Sequence, residues 1–179
     1  MHHSEVVMQR SKIEVVPYDP AWPEKFRKAA GKVEAVLGAN LVAIHHIGST
    51  SIVGIYAKPV IDMVMEVADI DELDGRSADM EALGYEVKGE FGIAGRRYFR
   101  RNDPDGRRAH QIHAFAAGSP PVTRHLAFRD FLLAHPEFAE HYSDLKCRLA
   151  EEHPYDMNAY MDGKDGFIKD MEARALRWA

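Results

Sequence analysis

Asp62 stands among apolar neighbours in the run Val60–Val67, VIDMVMEV, and the turn Gly48-Ser49-Thr50 precedes it. Each feature suggests half of one chemistry. An acid inside an apolar strand is costly unless a metal or a cation pairs with it. A turn of glycine and hydroxyl residues offers backbone N–H groups and side-chain oxygens that cradle a phosphate. Together they form the skeleton of a nucleotidyl-transfer site, with Gly48, Ser49 and Thr50 as ligand-binding candidates and Asp62 as the catalytic, metal-holding one. The turn is not a P-loop. That motif places lysine directly after its last glycine, whereas Ile55 follows Gly54 here and the lysine arrives only at Lys58.

Two-metal phosphoryl transfer requires carboxylates that converge on ions ~3.5–4 Å apart. The next residue on the same face of a strand lies ~6.6 Å away, and after Asp62 that residue is Val64. Glu66 shares the face at ~13 Å, too far to hold the same ion. A further ligand must come from another strand. In Ala109–Phe115, AHQIHAF, Gln111 and His113 share one face, while His110 shares the other with Ile112. Beside the strand of Asp62, His113 would supply a metal ligand, a phosphate contact or an acid–base group, and Gln111 a ligand contact. Imidazole suits transition metals, whereas Mg²⁺ prefers oxygen. Lys58 and Arg97 are the cations expected to meet developing phosphate charge. Arg97, Phe99 and Arg101 alternate with Arg96, Tyr98 and Arg100, so one of these two faces offers guanidinium groups to an anion. His125 and Arg129, four residues apart on a helix, and Lys164 read as surface or packing residues.

These residues need elements to position them. Ile13–Val16 is a short extended run ended by Pro17. Asp19, Pro20 and Pro23 start a helix reaching about Leu37, with Phe26, Ala30, Val33 and Leu37 on one face and Gly38 as its stop. Strands follow at Leu41–Ile47 and Val60–Val67. Asp69 and Asp71 open a helix that runs to about Leu83, where Gly84 ends it. Tyr85–Val87, Gly95–Arg101 and Ala109–Ala116 read as strands, the last two a hairpin about the turn Asn102–Gly106. After Ser119–Pro121 the pattern becomes helical: Val122–Ala134, Pro136–Glu152 and Met157–Trp178. The fold class is α+β, a single unit over 1–179, with a sheet-containing core at 13–118 and a helical C-terminal part at 119–179.

With 179 residues the chain builds one well-buried core. A net charge of -5 and a pI near 6.0 argue against a dedicated nucleic-acid binder. Cys147 is the single cysteine, so no intrachain disulfide forms and a reducing cytoplasm is expected. No apolar run approaches the ~20 residues of a membrane helix, and the opening MHHSEVVMQRSK has no signal-peptide core.

The chain resembles the GrpB (UPF0157) family from Glu14 to about Leu176. The resemblance is carried by VVPYDPAWP at Val15–Pro23, HIGSTSIVGIYAKPVIDM at His46–Met63, EALGY at Glu81–Tyr85 and GRRYF at Gly95–Phe99. HQIHAF at His110–Phe115, RHLAFRDFLLAHP at Arg124–Pro136 and YMDGKDGFI at Tyr160–Ile168 complete it. It implies a nucleotidyltransferase-like fold: a mixed sheet with helices packed on it, Gly48-Ser49 at the phosphate turn and Asp62 at the metal acid. Val64 takes the place of the second acid, which the family also generally lacks. Gln111 stands where the family often has the first histidine of His-x-His, and Val53 replaces a usual proline. Similar domains fused to dephospho-CoA kinase point to nucleotide or CoA metabolism.

The leading expectation is a cytoplasmic protein that binds a nucleotide or other phosphorylated small molecule with Mg²⁺ or another divalent cation, and transfers a nucleotidyl group. Asp62 and His113 would hold the metal, and Asp62, His113 and Lys58 would act in catalysis. Gly48, Ser49, Thr50, Arg97 and Gln111 would hold the ligand. The alternatives are a non-catalytic ligand-binding module, because the acid at 64 is missing, and a metal-dependent hydrolase.

Overall fold

The computed structural model describes residues 11–179, so His2, His3 and the reading of the opening segment lie outside the described residues. Five strands form one mixed sheet: β1 (Leu41–Ile47), β2 (Ile61–Val67), β3 (Glu86–Val87), β4 (Arg97–Asn102) and β5 (Arg108–Ala116), in the order β1-β2-β5-β4-β3. The central strands β2 and β5 run parallel, and the other neighbours are antiparallel. Helices cover β2 on both sides, which explains its almost unbroken apolar sequence.

One face is covered by α1 (Trp22–Leu37), which has Pro23 in its first turn and ends at Gly38. Its Trp22, Ala29, Val33 and Leu37 pack on Met63, Met65 and Val67 of β2 and on Ile112 and Ala114 of β5. Phe26 packs at the edge of this cluster, and Ala29 rather than Ala30 enters it. The single helix expected after Asp69 is two, α2 (Ile70–Asp74) and α3 (Ser77–Ala82). Gly75 is a poor helix former, and the Ser77 hydroxyl donates to the Asp74 carbonyl at 2.8 Å, offering the backbone a turn instead. In the extended run before Pro17, Val16 bridges Ala57 and Ile13 N–H donates to the Pro154 carbonyl at 2.7 Å.

The opposite face is covered by α4 (Pro120–Ala134), with α5 (Pro136–Glu152) and α6 (Met157–Trp178) stacked against it. Val122 and Leu126 of α4 pack on Ile47, Val64 and Phe115. A proline opens α4 and α5, and the Asp156 carboxylate caps α6 by accepting from Ala159 N–H at 3.1 Å. This α+β architecture, a mixed sheet with a helical C-terminal part, is the fold class read from the sequence. Strand alternation then sets the layout of the site. Ile61, Met63, Met65 and Val67 point to α1, whereas Asp62, Val64 and Glu66 point to the α4–α6 side.

Candidate functional site

Gly48 ends β1 at φ +73, and a Cβ there would stand 2.7 Å from Asp62 Oδ2. Only glycine permits this approach, so the turn backbone lies directly against the carboxylate. The chain then makes one 3-10 turn at Ser49–Ser51, closed by Ser51 N–H to the Gly48 carbonyl at 3.1 Å. Gly48, Ser49, Thr50, Lys58, Asp62 and Gln111 all line one cavity of about 180 Å³. Asp62 pairs with Ile47 on β1 and with Gln111 on β5, which is why turn, acid and amide meet.

The roof of the cavity comes from the helices. Tyr142 and Lys146 of α5 and Tyr160 and Lys164 of α6 line it. Lys146 is 1% exposed and Lys164 8%. Each lysine follows its tyrosine by four residues, one helical turn, so its ammonium group lies over that ring: 4.4 Å for Lys146 on Tyr142 and 4.9 Å for Lys164 on Tyr160. Lys58 lies 5.3 Å from the Tyr160 ring centre. Lys146 also donates to the Tyr56 carbonyl. Among the described residues none of the three lysines has a carboxylate within 4.0 Å. The Tyr160 hydroxyl is buried without a hydrogen-bond partner.

Burial and crowding set the charges. Burial pushes the Asp62 carboxyl up to about 6, against the pull of Lys58, Lys164 and Arg108. Burial, with Lys164 and Lys58 adding repulsion, brings Lys146 down to about 7. Lys164 falls to about 8 through burial and the charge of Lys58, with Asp62 opposing. Burial lowers Lys58 as well. Three poorly compensated ammonium groups around one carboxylate make a pocket short of negative charge.

His113 and Gln111 face the Asp62 side of the sheet, as alternation requires, but His113 is not free to bind a metal. Its Nε2 is 4.0 Å from Asp62 Oδ1, and its Nδ1 is 3.2 Å from Arg96 Nη1. A guanidinium only donates, so Nδ1 must accept and Nε2 must carry the proton. The lone pair that a metal or a general base requires is spent on Arg96. Burial, His125 and Arg96 push the ring down to about 3, so it stays neutral. His113 therefore presents an N–H donor, which corrects its assignment as metal ligand and acid–base group. His125, read as a surface or packing residue, stacks on it with ring centres 5.7 Å apart.

Two further assignments change. The Thr50 hydroxyl donates to the Val60 carbonyl at 3.0 Å and accepts from His46 Nε2 at 2.9 Å, so it braces the turn while Thr50 borders the cavity. Arg97 points to the opposite face, where Asp74 holds it at 2.7 and 3.1 Å. Tyr98, not Arg97, pairs with His113, so the neighbours on the Asp62 side are Tyr98 and Arg100. Lys164, read as surface or packing, is buried in the cavity wall. Lys146, Tyr142 and Tyr160 were not foreseen, although the spacing Tyr-x-x-x-Lys occurs at both Tyr142–Lys146 and Tyr160–Lys164.

Among the described residues no group of three or more histidine, cysteine or acidic side chains is placed to share a metal ion. Asp62 is the one carboxylate of the cavity lining among them. The donor set does not fit a resident divalent cation: one carboxylate faces several ammonium groups, and the nearest imidazole offers a proton. No described helix is long and apolar enough to cross a membrane.

Known proteins share this arrangement of chain. Residues 12–174 match the family model described as GrpB protein. The UPF0157 protein YqkA of Bacillus subtilis is 45% identical over 169 residues, covering 94% of this chain and 49% of that protein. The chain thus spans about half the length of that relative. The UPF0157 protein PA4798 of Pseudomonas aeruginosa is 35% identical, covering 92% of this chain and 68% of its own. The crystal structure of conserved protein GrpB from Enterococcus faecalis superposes with a TM-score of 0.88 at 40% identity, covering 93% of this chain and 100% of that one. A more distant likeness, 27% identity over 195 residues, covers 95% of this chain and 47% of the dephospho-CoA kinase of Mycobacterium tuberculosis. Motifs, fold and sequence agree along nearly the whole length, and the chain belongs to the GrpB family.

Proposed function

We propose that the Asp62 cavity binds the phosphate groups of a nucleotide or another phosphorylated small molecule. The observation that carries this reading is the convergence of Lys58, Lys146 and Lys164 on a glycine turn, with no carboxylate within 4.0 Å of any of them among the described residues. Backbone N–H groups of the turn, the Ser49 hydroxyl and the three ammonium groups are hydrogen-bond donors, and phosphate oxygens are acceptors. The likeness to a dephospho-CoA kinase supports a nucleotide-related ligand. Magnesium enters this reading only as a counter-ion that the ligand's own phosphates would carry, with no site of its own on the protein.

Binding without nucleotidyl transfer is the form the site supports best. Val64, where a second acid would stand, is fully buried against Ile47, Phe115 and Val122. Among the described residues no second carboxylate lines the cavity beside Asp62 to hold a paired ion.

Thermal unfolding with ATP or pyrophosphate tests the reading, each with magnesium and with chelator. At a hundredfold excess over Kd the midpoint should rise by about 5 °C or more in both conditions. Lys146→Gln/Lys164→Gln should lower that rise, and α-labelled nucleotide should leave no label on any product. A midpoint that no common nucleotide moves, or that moves equally in the double variant, refutes ligand binding at this site. Label transfer that depends on Asp62 refutes the non-catalytic form.

A further inference from the structure

A second cationic cleft lies on the opposite face of the sheet. Lys25, Lys28 and Lys32 project along one stripe of α1, and Arg101 of β4 meets them across a space of about 180 Å³ floored by Tyr85 and His110. The floor is tied together: Tyr85 Oη and His110 Nδ1 are 3.1 Å apart. Gly84, at φ +98, makes room for the arginine, since a Cβ there would stand 3.0 Å from Arg101 Nε.

Three nearby arginines are paired with acids. Arg27 meets Glu24 at 2.7 Å, Arg97 meets Asp74 at 2.7 Å and Arg100 meets Glu86 at 3.2 Å. Lys25, Lys28, Lys32 and Arg101 have no carboxylate within 4.0 Å among the described residues, in a chain of net charge -5 where acids outnumber bases. Four cations without a carboxylate partner share one recess, an arrangement that an anion would complete. Arg101, Lys32 and Lys25, after burial itself, are the charges that push His110 down to about 4, which reflects the same field.

We infer that this cleft is a binding site for a small phosphate-bearing anion, distinct from the Asp62 cavity. Its volume suits one or two phosphate groups. The single recess and acidic net charge do not suit a polynucleotide backbone, which needs an extended basic track. The mixture of one guanidinium fork with three mobile ammonium groups matches a tetrahedral anion of variable orientation. The inference does not depend on what the Asp62 cavity binds.

Pyrophosphate titrated at low ionic strength, followed by amide chemical shifts, tests it. Amides of Lys28, Lys32, Tyr85 and Arg101 should shift and saturate together, as a set separate from Gly48–Thr50. Lys28→Ala/Lys32→Ala, both at exposed positions, should weaken the cleft set about tenfold and leave the Gly48–Thr50 set in place. Lys146→Gln/Lys164→Gln should do the reverse. Cleft amides that stay still, or that saturate unchanged in Lys28→Ala/Lys32→Ala, overturn the inference. A saturating cleft set beside a silent Gly48–Thr50 set upholds it and counts against the Asp62 cavity alone.

Discussion

Asp62 carries a thermodynamic cost that its neighbours only partly offset. Its folded-state value of about 6 lies above the ordinary 3.8, so the fold favours the protonated form. The sign follows directly: this group destabilises the fold least below 3.8, increasingly between 3.8 and about 6, and fully above that. Asp62→Asn should therefore leave stability nearly unchanged at acid pH and raise it by about 3 kcal/mol near neutrality. Urea unfolding of both proteins across that range measures the difference. A variant less stable than the parent at neutral pH would mean that the lysines compensate the charge in full. That an acid so placed needs charged company was legible from its apolar neighbours. Its true partners were not, because Lys146 and Lys164 are about 84 and 102 residues away in sequence and only packing brings them near.

Elements differ in how openly the sequence states them. β1, β2 and the β4–β5 hairpin were readable because alternation and turn residues act locally. The face that Arg97 occupies was not, since alternation gives two faces and the register with β5 chooses between them. The repeat Tyr-x-x-x-Lys on α5 and α6 was present to be read, but a tyrosine and a lysine one turn apart are ordinary on a solvated helix. Their meaning lies in two helices turning the same pair toward one cavity. A different contact fixes the approach of β1 to β2. Asn40 donates to the Asp69 carbonyl at 3.0 Å and accepts from Asp69 N–H at 2.9 Å, bridging the start of β1 to the start of α2. Asn40→Ala leaves both backbone groups of Asp69 without that partner and should cost about 2 kcal/mol in equilibrium unfolding. A loss below about 0.5 kcal/mol would show that water replaces the amide at little cost.

Across the whole molecule, one layer supplies the carboxylate and glycine turn while another supplies two of the three ammonium groups. A ligand in the Asp62 cavity must touch both. Hydrogen exchange with saturating pyrophosphate should then slow together at Ser49–Ser51, along Tyr142–Lys146 and along Tyr160–Lys164. Protection confined to the turn would place the ligand outside the roof. Order of synthesis adds a last consequence of this division. A chain emerging from the ribosome can complete β5 and close its sheet before Lys146 and Lys164 exist as part of it. Until then Val64 and Phe115 form a bare greasy plane with an acid at its edge, a surface suited to chaperones and not yet to any anion.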